Sequence, residues 1–266
     1  MKYTFIGLGN MAQSMLHSLL RIQAILPEEV IVYSRTEASI ENIRKVYPNI
    51  IEAKSVQEAA YQGDMIFVCV YTHFVIETLE KFYHENFEKP IVYISPSIPL
   101  EAIEEKFPRI KATMLIPSVS SQGGNGVTLY SSTKNVLSEH KEVFRSIFGR
   151  VGLVKEYYGK EMFLATILSS CMPAFIARII ETFEKVGDDL KILEPEEIRE
   201  IVSSTSVGVS NLLLSRERTP REIQEMVATK GGITEKGLLA MERPVSEMVD
   251  AIYRATLEKL GVFNVK

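Results

Sequence analysis

The chain is poor in the residues that build disulfide frameworks and metal sites. Only two cysteines occur, Cys69 and Cys171. Cys69 falls in an apolar strand pattern and Cys171 in a helical one, so neither suggests a disulfide framework. The four histidines, His17, His73, His84 and His140, are scattered without ligand spacing, which argues against a metal site. No apolar run reads as long enough to span a bilayer, and the N-terminus lacks the basic stretch and long apolar segment of a secretory signal. The excess of one charge is small: a formal net charge of −4 gives no reason to expect nucleic acid or an anionic membrane as a partner. No internal repeat or low-complexity tract is visible. These absences point to a cytoplasmic globular protein. Its 266 residues, 46% hydrophobic and 24% charged, suffice for two domains.

What is present divides the chain. In the first half, short continuous apolar runs at 31–33, 65–70, 91–94 and 113–116 read as buried parallel strands. Helical patterns at 37–46, 73–86 and 100–107 separate them. A further strand at 126–130, a helix at 139–147 and a last strand near Leu153 follow. Alternation of this kind predicts an α/β, doubly wound, mostly parallel sheet. From about Tyr158 strand patterns stop, and amphipathic stretches take over at 160–186, 196–216, 220–227, 234–241 and 244–260. Pro173 should kink the first of these. The expected division is therefore a nucleotide-binding Rossmann domain at 1–156 and an all-α domain at 157–266. Long helices with small residues such as Ser169, Ser170, Ala174 and Ala177 predict a homodimer built on the second half, since 110 or so helical residues have little core of their own.

The N-terminal segment Tyr3-Thr4-Phe5-Ile6-Gly7-Leu8-Gly9-Asn10-Met11-Ala12 runs an apolar strand directly into G-x-G-x-x-A, and the amphipathic run 11–25 follows. Gly7 permits the tight turn, Gly9 admits a pyrophosphate, and Ala12 allows close helix–strand packing. The second strand ends in Ser34-Arg35-Thr36, where an acidic residue would mark NAD. A guanidinium flanked by hydroxyls suits the 2′-phosphate of NADP(H) instead. The plain alternative for Arg35 is a solvated arginine opening a helix.

A second segment, Met226 to Glu242, carries Gly231 and Gly232 at the start of a helix, with Thr234 in its first turn and Gly237 beyond. Free backbone N–H groups at a helix start attract anions, and a threonine hydroxyl adds a donor. Thr229, Lys230, Gly231, Gly232 and Thr234 thus form a candidate anchor for a small carboxylate, with Thr234 the candidate catalytic residue. A Gly-Gly pair is more often only a turn.

Three features in order, the Gly7–Ala12 fingerprint, Ser169-Ser170-Cys171-Met172-Pro173-Ala174-Phe175, and Gly231-Gly232-Ile233-Thr234 with Gly237-Leu238 and Glu242, resemble the pyrroline-5-carboxylate reductase family over essentially the whole chain. The resemblance implies a Rossmann domain, a helical dimerisation domain, and NADP(H)-dependent reduction of a cyclic imine carboxylate to proline. It places Gly7, Leu8, Gly9, Asn10, Met11, Ala12, Ser34, Arg35, Thr36, Val70, Tyr71, Ser95, Pro117 and Ser118 around the cofactor, with Ser120 also near its nicotinamide end. The chain departs from the family's pattern in four places. Val70-Tyr71-Thr72 replaces Val-Lys-Pro, Ser95-Pro96-Ser97 replaces small residues with glycine, Ile116-Pro117-Ser118-Val119-Ser120-Ser121 replaces Met-Pro-Asn-Thr-Pro-Ala, and Lys230 replaces a proline. In Ser95-Pro96, Ile116-Pro117-Ser118 and Lys230-Gly231-Gly232 it looks like the divergent ComER-type branch encoded with late-competence genes in Gram-positive bacteria. Two other readings stand beside the reductase: an NADPH-binding regulatory or sensor paralogue, and a 3-hydroxyacid dehydrogenase. The latter resemblance needs a lysine with an asparagine one turn later; after Lys160 the chain has Leu164.

Overall fold

A computed structural model describes residues 1–259, and Leu260, the expected last residue of the final helix, lies outside them. The elements run β1 (Tyr3–Ile6), α1 (Asn10–Arg21), β2 (Val30–Tyr33), α2 (Glu37–Val46), β3 (Ile51–Glu52), α3 (Val56–Gln62), β4 (Met65–Val68), α4 (Val75–Glu80), β5 (Ile91–Tyr93), α5 (Leu100–Lys106), β6 (Ala112–Ile116), β7 (Gly126–Ser132), α6 (Ser138–Phe148) and β8 (Gly152–Glu156). Helices α7 (Gly159–Thr166), α8 (Met172–Leu190), α9 (Pro195–Leu214), α10 (Pro220–Val227) and α11 (Ile233–Lys259) follow.

The strands form one sheet in the order β3-β2-β1-β4-β5-β6-β7-β8. All neighbours are parallel except β6 and β7. The inner strands β1, β2, β4, β5 and β6 are mostly apolar on both faces because both faces are covered, whereas the edge strands β3 and β8 are only partly buried. Along β1 and β4, Tyr3, Phe5, Met65 and Phe67 face the layer of α1, α2 and α6, while Ile6, Ile66 and Val68 face that of α3, α4 and α5. Phe5 and Phe67 stack with centroids 4.7 Å apart. Burying an aromatic or large aliphatic side chain in this way contributes roughly 1.5–3 kcal/mol, so the alternation along each strand holds the sheet in register.

The chain divides into compact units Met1–Pro173 and Ala174–Lys266. The first unit extends past the expected boundary at residue 156. The reason lies in α7 and the turn after it: Met162 is buried in the sheet's core cluster, and Ser170 Oγ donates to the Pro117 carbonyl at 3.1 Å. Between α7 and α8 the backbone passes through a π turn, Ile167–Cys171, directly before Pro173. Pro173 has no N–H to return to the preceding turn. The Ser169 carbonyl, one turn earlier, accepts the Ser118 hydroxyl at 2.9 Å. The expected kink is thus resolved as a π turn with a side chain replacing the missing donor.

Contrary to the sequence reading, one helical segment is long and apolar enough to cross a membrane by length and composition: Gly159–Leu190, with a mean hydropathy of 1.8 in its most apolar window. Its exposed residues explain the value. Met172, Ile176, Ile179, Phe183, Val186 and Leu190 are all exposed, and their alternating spacing of four and three is that of a helix–helix seam.

In the second unit, α10 starts at a capping box. Glu222 N–H donates to Thr219 Oγ1 at 3.3 Å, the Glu222 carboxylate accepts from Thr219 N–H at 2.7 Å, and Pro220 follows the cap. The two helices expected at 234–241 and 244–260 are a single helix, α11, with Pro244 inside it. A proline removes one backbone bond, here to the carbonyl of Ala240, which lies at an exposed position where water can replace it.

Candidate functional site

At the C-terminal ends of β1, β2 and β4, where the strand order reverses direction, a cleft of about 530 Å³ opens. This is the place where doubly wound sheets bind ligands. All six fingerprint residues from Gly7 to Ala12 line it, with Ser34, Arg35, Thr36, Val70 and Tyr71.

Gly7 has φ +94°, and its N–H donates to the Tyr33 carbonyl at 2.7 Å. A Cβ there would lie 2.7 Å from the Cys69 carbonyl oxygen, so only glycine fits both the dihedral and the space. Gly9 differs: nothing lies within 4 Å of where its Cβ would be. Its residue type keeps the cleft open at the start of α1. Gly9 supplies no side-chain cap, and the Asn10, Met11 and Ala12 N–H groups have no protein partner among the described residues. Unpaired N–H groups at the positive end of a helix dipole attract anions.

On the β2 side, the Arg35 guanidinium carbon lies 4.3 Å from the centroid of Phe74. Ser34 Oγ accepts the Thr36 N–H at 3.2 Å. Cys69 also lines the cleft; burial pushes its thiol up, so it stays protonated at neutral pH.

Three residues expected around the cofactor do not line this cleft. Ser95 is buried, and its hydroxyl pairs with Thr72 Oγ1 at 2.9 Å; Ile94 reaches the cleft instead. Pro117 and Ser118 border a separate small cavity with Ser14, Ser18 and Phe148. Ser118 is buried, and its hydroxyl is used by the Ser169 carbonyl and by Ser120 Oγ at 2.8 Å. Ser95, through Thr72, and Ser118, through Ser169, each tie together segments remote in sequence.

The turn before α11 is a separate feature of the second unit. Gly231 has φ +74°. Its N–H donates to the Glu235 carboxylate at 2.7 Å, and the Gly232 N–H donates to the Thr229 carbonyl at 2.8 Å. These two donors, expected to be free, are therefore occupied within the turn. The N–H groups of Ile233, Thr234 and Glu235 have no partner among the described residues, and Thr234 is half-buried beside them. Lys230 is exposed.

Phe74, Glu77 and Lys81 also line the cleft and were not anticipated. Their signal was the helical pattern at 73–86, in which positions 74, 77 and 81 share one face.

A strand–Gly-x-Gly-x-x-Ala–helix unit at a topological switch point defines a Rossmann-type oxidoreductase module. Residues 2–99 match the family model described as NADP oxidoreductase coenzyme F420-dependent, and residues 159–261 match that for pyrroline-5-carboxylate reductase dimerisation. Pyrroline-5-carboxylate reductase 3 of Bacillus subtilis is 29% identical over 259 residues, covering 96% of this chain and 93% of that protein. ComE operon protein 4 of the same organism is 23% identical over 257 residues, covering 96% and 94%. Among solved structures, the pyrroline carboxylate reductase of Plasmodium falciparum, with NADP bound, superposes with a TM-score of 0.84 at 24% identity, covering 97% and 96% of the two chains. Over nearly its whole length the chain is similar to pyrroline-5-carboxylate reductases.

Proposed function

We propose that this chain is an NADPH-dependent imine reductase that converts 1-pyrroline-5-carboxylate to L-proline. The observation that carries the reading is the open, glycine-floored cleft with an arginine rim, in a chain that matches reductases of this kind from end to end.

The cleft fits the cofactor. Space above Gly9 admits a pyrophosphate, and the Asn10, Met11 and Ala12 N–H groups can bond it. Arg35, with Ser34 and Thr36, receives a 2′-phosphate; the carboxylate that lines the cleft among the described residues, Glu77, comes from α4 and not from the end of β2. Val70 and Tyr71 border the same cleft. When bound, the nicotinamide supplies the hydride.

The remaining chemistry is orientation. A protonated imine accepts hydride readily, so the protein's part is to hold the imine carbon in line and to keep water out. The candidate anchor for the substrate carboxylate is Thr234 Oγ1 with the unpaired N–H groups at the start of α11, supported by Thr229, Lys230 and the Gly231-Gly232 turn. We assign this role to the helical domain beginning near residue 157. That domain pairs two copies through the exposed apolar seam of α8, which also accounts for the hydropathy of the segment in a protein we place in the cytoplasm.

The test is NADPH oxidation with 1-pyrroline-5-carboxylate and with 1-pyrroline, which lacks the carboxylate. The reading expects the first to be turned over with far higher kcat/KM. NADPH binding without turnover of any cyclic imine would replace it with a regulatory role.

A further inference from the structure

Among the described residues, the close contact of the Arg35 guanidinium is the ring of Phe74, at 4.3 Å. No carboxylate lies within ion-pair distance of it among the described residues. Arg35 is exposed, and a long exposed side chain without a partner is spread over many rotamers. The ring removes that freedom. It also leaves the donors of the guanidinium unspent, because a ring face attracts the charge without accepting the in-plane N–H groups.

Phe74 is itself held. It ends the one-turn 3-10 helix Thr72–Phe74, and its N–H donates to the Tyr71 carbonyl at 2.8 Å. Thr72 Oγ1 pairs with buried Ser95 at 2.9 Å, and the His73 ring lies 4.1 Å from the Phe74 ring. Glu77, one turn along α4, is the competing group. Its carboxylate is held below the usual range by its hydrogen bond and ion pair with Lys81, and Arg35 lowers it further. Lys81 Nζ pairs with Glu77 Oε1 at 2.8 Å, and Glu77 makes no ion pair with Arg35.

We propose that Phe74 is a positioning residue for cofactor choice: it presents Arg35 to the 2′-phosphate and so sets the preference for NADPH over NADH. The inference rests on the assignment of Arg35 to the 2′-phosphate. It adds that selectivity depends on an aromatic ring from the loop after β4, a loop that departs from the family's usual sequence.

The experiment measures Kd for NADPH and NADH by titration calorimetry in the full chain. Variants are F74L, F74Y, R35A and the double variant R35A/F74L, with thermal melts as a check on folding. Phe74→Leu should weaken NADPH about threefold to tenfold and NADH less than twofold, the scale of a lost cation–π contact. Phe74→Tyr should restore NADPH binding, and Phe74→Leu should add nothing to Arg35→Ala. An equal loss for both cofactors means that Phe74 shapes the cleft, and no loss for either means that it does not position Arg35; each overturns the inference. Should Phe74→Leu fail to fold, Phe74→Tyr against Phe74→Met decides on the same ratio. If Arg35→Ala does not lower the NADPH preference, the cofactor assignment itself has failed.

Discussion

The two fingerprint glycines should fail in opposite ways when a methyl group is added. At Gly7, alanine must adopt φ +94° and place its Cβ 2.7 Å from the Cys69 carbonyl oxygen and 2.9 Å from its carbon. The dihedral alone costs about 1–2 kcal/mol. The overlap is with backbone at the end of β4, which cannot rotate away, and the sum is roughly 2–4 kcal/mol. For a unit of this size that lowers Tm by roughly 5–15 °C. At Gly9 the backbone is extended, φ −73° and ψ 176°, and no atom lies within 4 Å of the added methyl. Gly9→Ala should therefore leave stability within about 0.5 kcal/mol of the parent. Its methyl projects into the cleft where the pyrophosphate approaches, and displacing one charge-assisted hydrogen bond of about 1.5–3 kcal/mol weakens NADPH roughly tenfold to a hundredfold. The assay is a urea or thermal melt paired with calorimetric NADPH titration. A Gly9→Ala protein that binds NADPH like the parent refutes the placement of the pyrophosphate. A Gly7→Ala protein as stable as the parent refutes the close approach of the β1 turn to β4.

Thr234→Val should lower kcat/KM for 1-pyrroline-5-carboxylate about tenfold to a hundredfold, the cost of one hydrogen bond to a charged group. NADPH affinity should hold, and an equal loss on 1-pyrroline would make Thr234 a residue of the fold and not of the anchor. Ile179→Glu with Phe183→Glu puts two charges into the α8 seam, so sedimentation should give monomers at micromolar concentration where the parent is dimeric. A monomeric parent contradicts the homodimer. Ser118→Ala leaves the Ser169 carbonyl beside Pro173 without its donor, which should cost about 1–3 kcal/mol in a urea melt. An unchanged midpoint would mean that water replaces the serine.

The sheet was legible because its inner strands are covered on both faces and so read as short apolar runs. Where burial is partial the pattern thins. β3 has two residues, too few to show a period. Helix α3 buries only Val56, Ala59 and Ala60, yet its start is marked by Ser55 Oγ accepting the Glu58 N–H at 3.0 Å, a cap visible in the spelling Ser-Val-Gln-Glu. The cleft was legible because its glycines and Ser34-Arg35-Thr36 sit at fixed offsets from β1 and β2. What was hidden depends on contacts between distant segments. Ser118 looks like a loop serine until Ser169 is seen to need it, and Arg35 looks like a solvated arginine until Phe74 is placed beside it. The Glu235 carboxylate on the Gly231 N–H is local, but acidic residues in a first turn serve many roles, so its spacing alone did not announce the bond.

The most direct test of the central claim follows the hydride. The chain is incubated with 1-pyrroline-5-carboxylate and NADPH carrying deuterium at C4 of the nicotinamide, on each face in turn, and the product is read by mass spectrometry and NMR. The account predicts L-proline with one deuterium on the ring carbon that was the imine carbon, from one C4 face only. Proline without deuterium from both labelled cofactors, or no proline from a protein that binds NADPH, would contradict it.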